Sequence, residues 1–239
     1  MNDASEAETS CFNEDINFEK GRKAGLLLPG QLGTSLYSSL HAEVSALLAR
    51  SGEDFSLPPK TQSSRGMIGG YEIEGKITSI NNKQLILSSS KLKGKHCMEG
   101  LVLHSFANLF GQPRGAFETI ICATDRTYIL KRPKGDACLE ALDDLVKLFI
   151  EGRKKPIPFF PNCTLAWMTQ AAKLSEENSR ASKSELSCAF QSWSSEFGGE
   201  GKEFSNKLCF PENPWKLDKT LELNKLIVSH FNKLGGVIL

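Results

Sequence analysis

Apolar and polar positions along the 239-residue chain change period several times, and each change predicts an element. Leu36, Leu40, Val44, Leu47 and Leu48 form the stripe of an amphipathic helix that follows Pro29-Gly30 and that Gly52 terminates. Residues 51–70 are rich in Ser, Gly and Pro and read as a loop. From Tyr71 the pattern becomes strand-like. Tyr71, Ile73, Ile77 and Ile80 favour a strand, Asn81-Asn82 tolerates the positive φ of a turn, and Leu85, Ile86 and Leu87 form a short buried-strand run. Together they predict a hairpin, a two-strand core unit around which the rest packs.

Helical spacing returns at Cys97, Leu101, Val102, Phe106 and Leu109, ended by Gly111 and Pro113, and this helix is expected to cover one face of the sheet. Phe117–Cys122 and Thr127–Leu130 predict two more strands around 123–126. Asp136 is placed to N-cap a helix carrying Leu139, Leu142, Leu145, Val146 and Phe149, with Gly152 as its stop. Pro156 to Pro161 is a stiff connection bearing Phe159 and Phe160, aromatics suited to packing or to contact with bases, and Leu165, Trp167 and Met168 open another helix. Residues 175–185 read as a loop or a frayed helix, and Leu186, Ala189, Phe190 and Trp193 as a core helix. Leu208–Phe210 suggests an edge strand, and Leu217, Leu221, Ile227, Val228, Phe231 and Leu234 a last helix ending at Gly235-Gly236. The sum is one α/β domain over 25–239, a mixed sheet flanked by helices. It is preceded by a polar, acidic leader over 1–24 that is expected to be disordered.

Composition narrows the class. A 40% hydrophobic chain of this length can bury a sizeable core. Its apolar runs fall far short of the ~18 residues that cross a bilayer, and acids rather than a basic, apolar signal follow Met1, so a cytoplasmic location without membrane contact is expected. Seven scattered cysteines with no CxxC read as reduced thiols, and four dispersed histidines do not pair with them as a zinc site.

The net charge of +1 conceals an asymmetry. Met1–Glu19 holds six acids and no base, whereas Gly75–Met98 holds five lysines and no acid. Lys91, Lys93, Lys95 and His96 form a local basic face, compatible with nucleic acid or with an ordinary solvated surface. Arg153, Lys154 and Lys155 form a second group, which also complements the negative end of the helix before it.

Several chemistries lack their anchor. Gly70 to Lys76 has the spacing of a phosphate-binding loop, but Ile77 replaces the hydroxyl residue that bridges magnesium, and Glu72 and Glu74 would repel phosphate. Gly198 to Gly201 is equally poor as a nucleotide loop and reads as a turn. No GxSxG elbow or SxxK pair supports acyl transfer. A strand hairpin followed by a helix is also how PD-(D/E)xK nucleases present the carboxylates that hold their metal. Here Gly75-Lys76-Ile77-Thr78 and Leu85–Ser88 stand where those acids and the lysine belong, and no acid lies between Glu74 and Glu99.

Several runs resemble, in order, the carboxy-terminal domain of the RecC family. These are GLLLPGQLGTSLYSSLHAEVSALLA, LSSSKLKGKH, GRKKPIPFFPNCTLAW at 152–167, GGEGKE at 198–203, and the ending WKLDKTLELNKLIVSHFNKLGGVIL. The resemblance spans about 16–239. RecC is the gamma chain of exodeoxyribonuclease V, the RecBCD machine. The resemblance implies a PD-(D/E)xK nuclease-like core without catalytic carboxylates. It further implies a non-catalytic scaffold or DNA-handling subunit, whole or truncated, acting in double-strand break repair and recombination. RecB-like and RecD-like subunits and DNA would be its partners, with no cofactor, metal or catalytic residue of its own. Lys91, Lys93, Lys95, His96, Arg153, Lys154 and Lys155 are the candidate DNA contacts. Two other readings stand beside it: an active nuclease using Glu72, Glu74, Glu99 and Lys91, and a stand-alone nucleic-acid-binding module.

Overall fold

The structure, a computed structural model, describes residues 14–52, 58–177, 182–196, 199–216 and 218–238. The chain divides into two compact units, residues 1–60 and 61–239. The first unit pairs α1 (Glu14–Lys23) with α2 (Gln31–Ser51). The Phe18 ring meets Tyr37 edge-on at 5.2 Å. Gly52 ends α2 in the left-handed conformation, φ 67°, its N–H donating to the Ala49 carbonyl as the sequence predicts. Residues 1–13 of the expected leader lie outside the described residues, and Glu14–Lys23, read as part of that leader, is helical.

In the second unit the predicted hairpin is replaced by a different one. Strand β1 (Lys60–Ile68), within the stretch read as a loop, pairs with β2 (Tyr71–Ser79) through a turn at Gly69-Gly70, both at positive φ. Residues 53–57 of the same stretch lie outside the described residues. Asn81 and Asn82 do adopt positive φ, 51° and 63°, and close a single bridge between Ile80 and Lys83. Beyond that bridge β3 (Lys83–Leu87) leaves β2 and pairs with β4 (Glu118–Cys122) in parallel, Leu85 opposite Ile120. A two-residue asparagine turn fixes the reversal of the chain but not its partner. Here the apolar register of β3 is satisfied by β4.

The main sheet runs β3-β4-β5-β6, and it is mixed. β5 (Thr127–Leu130) is antiparallel to β4, with Ile121 opposite Tyr128. The short β6 (Val237–Ile238), unanticipated in the sequence, pairs antiparallel with β5. Helices flank it. α3 (Gly94–Phe110) lies against β4 closely enough that a Cβ on Gly100 would come within 2.3 Å of Ile121 Cδ1. α4 (Ala137–Gly152), α5 (Pro161–Glu177), α6 (Ser182–Ser194) and α8 (Asp218–Lys233) complete the main core with Leu101, Ile121, Tyr128, Phe160, Trp167, Trp193 and Phe231. Asp136 occupies the N-cap position of α4 but makes no capping hydrogen bond through its side chain. Phe160 is buried beside Trp193, ring centroids 4.4 Å apart, so it packs rather than faces solvent.

The edge strand expected at Leu208–Phe210 is instead the end of a short helix, α7 (Phe204–Cys209), on which Leu208 is 72% exposed. Three apolar residues in a row satisfy either period, and here the Phe210 N–H bonds the Asn206 carbonyl, closing a helical turn.

A polar network around His104 sits inside the core. His104 Nδ1 lies 3.0 Å from Thr119 Oγ1, whose hydroxyl donates to Gln84 Oε1 at 3.0 Å. Asn108 exchanges hydrogen bonds with the Phe117 backbone, accepting at 2.9 Å and donating at 3.2 Å. Burial lowers the His104 pKa to about 4, against a backbone hydrogen bond at Lys131 that raises it. No helix among the described residues is long and apolar enough to cross a membrane.

Candidate nucleic-acid interface

The basic segment before α3 alternates strictly. Lys91, Lys93 and Lys95 are exposed, while Leu92, Gly94 and His96 between them are buried. Extended backbone sends Lys91 and Lys93 to the side opposite Leu92, and from Gly94 the alternation continues into the first turn of α3. Here Leu92 joins the main core, and a Cβ on Gly94 would come within 1.9 Å of the Pro161 carbonyl oxygen.

The backbone of this segment is tied down at almost every step. The Ser88 N–H donates to the Cys122 carbonyl at 2.9 Å, and the Thr124 N–H to the Ser90 carbonyl at 3.2 Å. The Leu92 N–H donates to Asp125 Oδ1 at 2.7 Å, and the Gly94 N–H to Asn162 Oδ1 at 2.8 Å. The Lys93 N–H donates to His96 Nδ1 at 3.2 Å, and the His96 N–H donates to the Lys93 carbonyl at 3.0 Å at the start of α3.

His96 therefore lies beneath the lysines. Its Nε2 is 3.4 Å from Ser88 Oγ. Its pKa is lowered, first by burial and then by the Lys95 charge, so a neutral ring that accepts the Lys93 N–H is the stable form. Asp125 also meets Arg126, at 3.1 Å through Nε. Although burial pushes its carboxyl up, the Leu92 N–H and Arg126 outweigh that and hold it below the usual range.

The second basic group follows α4. Arg153, Lys154 and Lys155 are exposed, but Lys155 bridges Glu151 at 3.1 Å and Lys219 reaches the same carboxylate at 2.6 Å. Residues 156–160 then lead to α5, whose first residues receive Gly94. Glu200, buried in a 3-10 turn (Glu200–Lys202), caps that helix from a distance. Its Oε1 accepts the Asn162 N–H at 3.0 Å and its Oε2 the Cys163 N–H at 2.9 Å.

Sequence reasoning found the lysines and missed their supports. Asp125, Asn162 and Glu200 act on partners 33, 68 and 37 or 38 residues away, and no local spacing announces such pairs.

The acids considered for an active nuclease are not gathered. Glu72 and Glu74 are exposed on β2, and Glu99 is exposed on α3. Among the described residues no group of three or more His, Cys, Asp or Glu side chains is placed to hold a metal ion. Burial raises the Cys97 and Cys138 thiols to about 12, so both are inert core residues at neutral pH.

No curated protein matches the chain at a significant level. Residues 8–172, more than half of the chain, match the RecC C-terminal domain. They include α2, the hairpin, the main-sheet strands β3–β5, the lysine segment with Asp125 and Asn162, and the second basic group. The chain belongs to the RecC C-terminal domain family.

Proposed function

We propose that this chain serves as a non-catalytic, DNA-handling component of a RecBCD-type helicase-nuclease in double-strand break repair and recombination. The observation that carries this reading is the display of Lys91, Lys93 and Lys95 on a pinned backbone, in a chain of the RecC C-terminal domain family. Three exposed ammonium groups within five residues of a pinned backbone can meet phosphates, and much of the backbone ordering that binding would otherwise cost is already complete. His96 supports the segment from below. Arg153 and Lys154 form a second candidate contact, and Lys155 contributes less because Glu151 neutralises part of its charge.

A nuclease-like core is supported by the element order, in which a hairpin and a third strand precede α3 and a parallel strand follows it. The acids such a site would use lie apart on β2 and α3, which favours a binding role over cleavage. RecB-like and RecD-like subunits are the proposed partners, residues 25–239 the functional domain, and the cytoplasm the site of action.

The test is a salt titration of DNA affinity for the wild-type chain and a Lys91→Ala, Lys93→Ala, Lys95→Ala triple variant, on two unrelated duplexes, with and without candidate partner subunits. Each lysine engaged on a phosphate contributes roughly 0.9 to the slope of log affinity against log salt. The triple variant should bind both sequences more weakly with a shallower slope, since phosphate contacts do not read bases. Identical slopes would remove the lysines from the interface. Metal-dependent cleavage abolished by Glu74→Gln would instead establish the nuclease reading.

A further inference from the structure

Residues 190–213 lie outside the stretch, 8–172, that matches the family, and they carry an apolar surface of their own. α7 buries none of its six residues. Phe204 and Leu208 stand about one turn apart on it, and Phe204 is 81% exposed. A single exposed apolar side chain is ordinary, whereas several beside a cavity mark a surface that takes a partner. Here Phe190 of α6, itself exposed, and Lys207 of α7 both line an open groove with a volume of about 480 Å³.

The aromatic part of the lining is fixed by the core. Trp193 and Phe210 line the groove, and their ring centroids lie 4.4 and 5.5 Å from that of buried Phe160. Gly201 lets the chain pass close to the indole, since a Cβ there would come within 2.7 Å of Trp193 Cε2. The Asn206 side-chain amide donates to the Glu200 carbonyl at 2.9 Å and ties α7 to the 3-10 turn. Each of these two pieces brings one cation to the lining, Lys202 from the turn and Lys207 from the helix. Both lysines are exposed, and among the described residues neither has an ion-pair partner. Glu212 is the one acid in the lining.

Two unneutralised ammonium groups beside a rigid aromatic wall call for a ligand that is anionic and apolar at once. A nucleic-acid strand meets the charge but not the wall: Trp193, 8% exposed, leaves too little indole for a base to lie on, and Glu212 repels phosphate. An acidic peptide meets both, because a large side chain can fill the apolar part while neighbouring carboxylates reach the lysines. We propose that this groove docks an acidic peptide segment of another protein, anchored by one aromatic side chain against Trp193 and Phe210 and by carboxylates on Lys202 and Lys207. Phe204 and Leu208 widen the apolar contact from α7. Docking here uses none of the residues assigned to DNA.

The experiment uses the intact, isotope-labelled chain and a synthetic peptide of aspartates and glycines with one phenylalanine at its centre. One control peptide carries alanine in place of the phenylalanine, and a second carries asparagine in place of every aspartate. Amide and indole chemical shifts locate binding without any mutation, and their titration gives affinity. The peptide should shift the Trp193 indole and signals within 199–213 saturably, and both controls should bind at least roughly tenfold more weakly. A Lys202→Glu, Lys207→Glu variant whose thermal unfolding matches wild type should lose about tenfold in affinity for the peptide.

Equal binding of the alanine control would reduce the groove to a charged patch and reject the proposal. Shifts confined to other segments, no saturable shift, or unchanged binding by the charge-reversed variant would reject it as well. A single-stranded oligonucleotide that shifts the same signals more tightly than the peptide would replace the peptide by nucleic acid as the occupant. None of these results alters the outcome for the triple-lysine variant, so the groove and the lysine interface stand or fall separately.

Discussion

Asp125 accepts the N–H of Leu92 at 2.7 Å, joining the turn between β4 and β5 to the middle of the lysine segment. This contact fixes the direction in which Lys91 and Lys93 leave the backbone. Asp125→Ala should cost roughly 1.5 kcal/mol, the low end for a hydrogen bond to a charged group, because the carboxylate is partly solvated. Asp125→Asn keeps an acceptor and should cost less. The folded carboxyl titrates below its ordinary value, so its contribution is present above the unfolded pKa and is lost as pH falls through the folded one. Urea unfolding of the three proteins at pH 7 checks the order, and a neutral Asp125→Ala would show that the clamp is idle.

Gly94→Ala tests the close approach of α3 and α5. The added methyl would overlap the Pro161 carbonyl and the Asn162 nitrogen, both backbone atoms that move only with their helix. Destabilisation of about 1–3 kcal/mol, the usual range for overpacking, is expected, together with weaker DNA binding as the lysines shift. A variant with wild-type stability and affinity would mean that the two helix starts slide apart freely.

Glu200 reaches the lysines through two intermediates, capping α5 so that Asn162 can hold Gly94. Removing the carboxylate in Glu200→Ala leaves the Asn162 and Cys163 N–H groups without their acceptor, at a cost of roughly 1–3 kcal/mol. Glu200→Gln retains one oxygen and should lie between. Equal stability of the two variants in denaturant titration would argue that water replaces the cap without loss.

His104 sets a pH dependence. Its folded pKa, about 4, lies below the ordinary 6.5, so the unfolded chain takes up a proton that the native ring refuses. Its contribution is therefore complete above pH 6.5, declines as pH falls toward 4, and changes no further below that. The shift corresponds to about 3 kcal/mol across the window. In His104→Gln this part of the pH profile should vanish. Parallel wild-type and variant profiles between pH 7.5 and 4.5 would assign the dependence to other groups.

How much of this was legible in the sequence differed by element. The longer helices of the second unit announced themselves by an apolar stripe, as α4 does where Leu142 is buried, whereas α7 buries none of its residues and reads as a strand. β4 and β5 were legible as dense apolar runs. β1 was hidden for a physical reason: its inward positions include Ser64 and Gly66, and the bulk that fills the interface comes from α3 instead. A Cβ on Gly66 would lie 1.9 Å from the Phe110 ring, and one on Gly75 of β2 would lie 3.2 Å from Phe106. Along β1 the strand provides room more than side chains until Ile68 at its end, so hydropathy falls silent there, whereas Ile73 and Ile77 made β2 legible. The basic candidates were visible as charge, but the long-range carboxylates and amide that hold them were not.

Those two glycines carry a last consequence. A two-stranded ribbon with no further strand beside it holds together poorly on its own, and β1-β2 forms a sheet of two. Its persistence depends on Phe106 and Phe110 resting in the slots that Gly66 and Gly75 leave open. The ribbon is thus a separable layer whose amides should trade hydrogen for deuterium together, and sooner than those of β4 at the centre of the other sheet. Trimming one ring, as in Phe110→Ala, would release the ribbon as a unit while the sheet beneath keeps its protection.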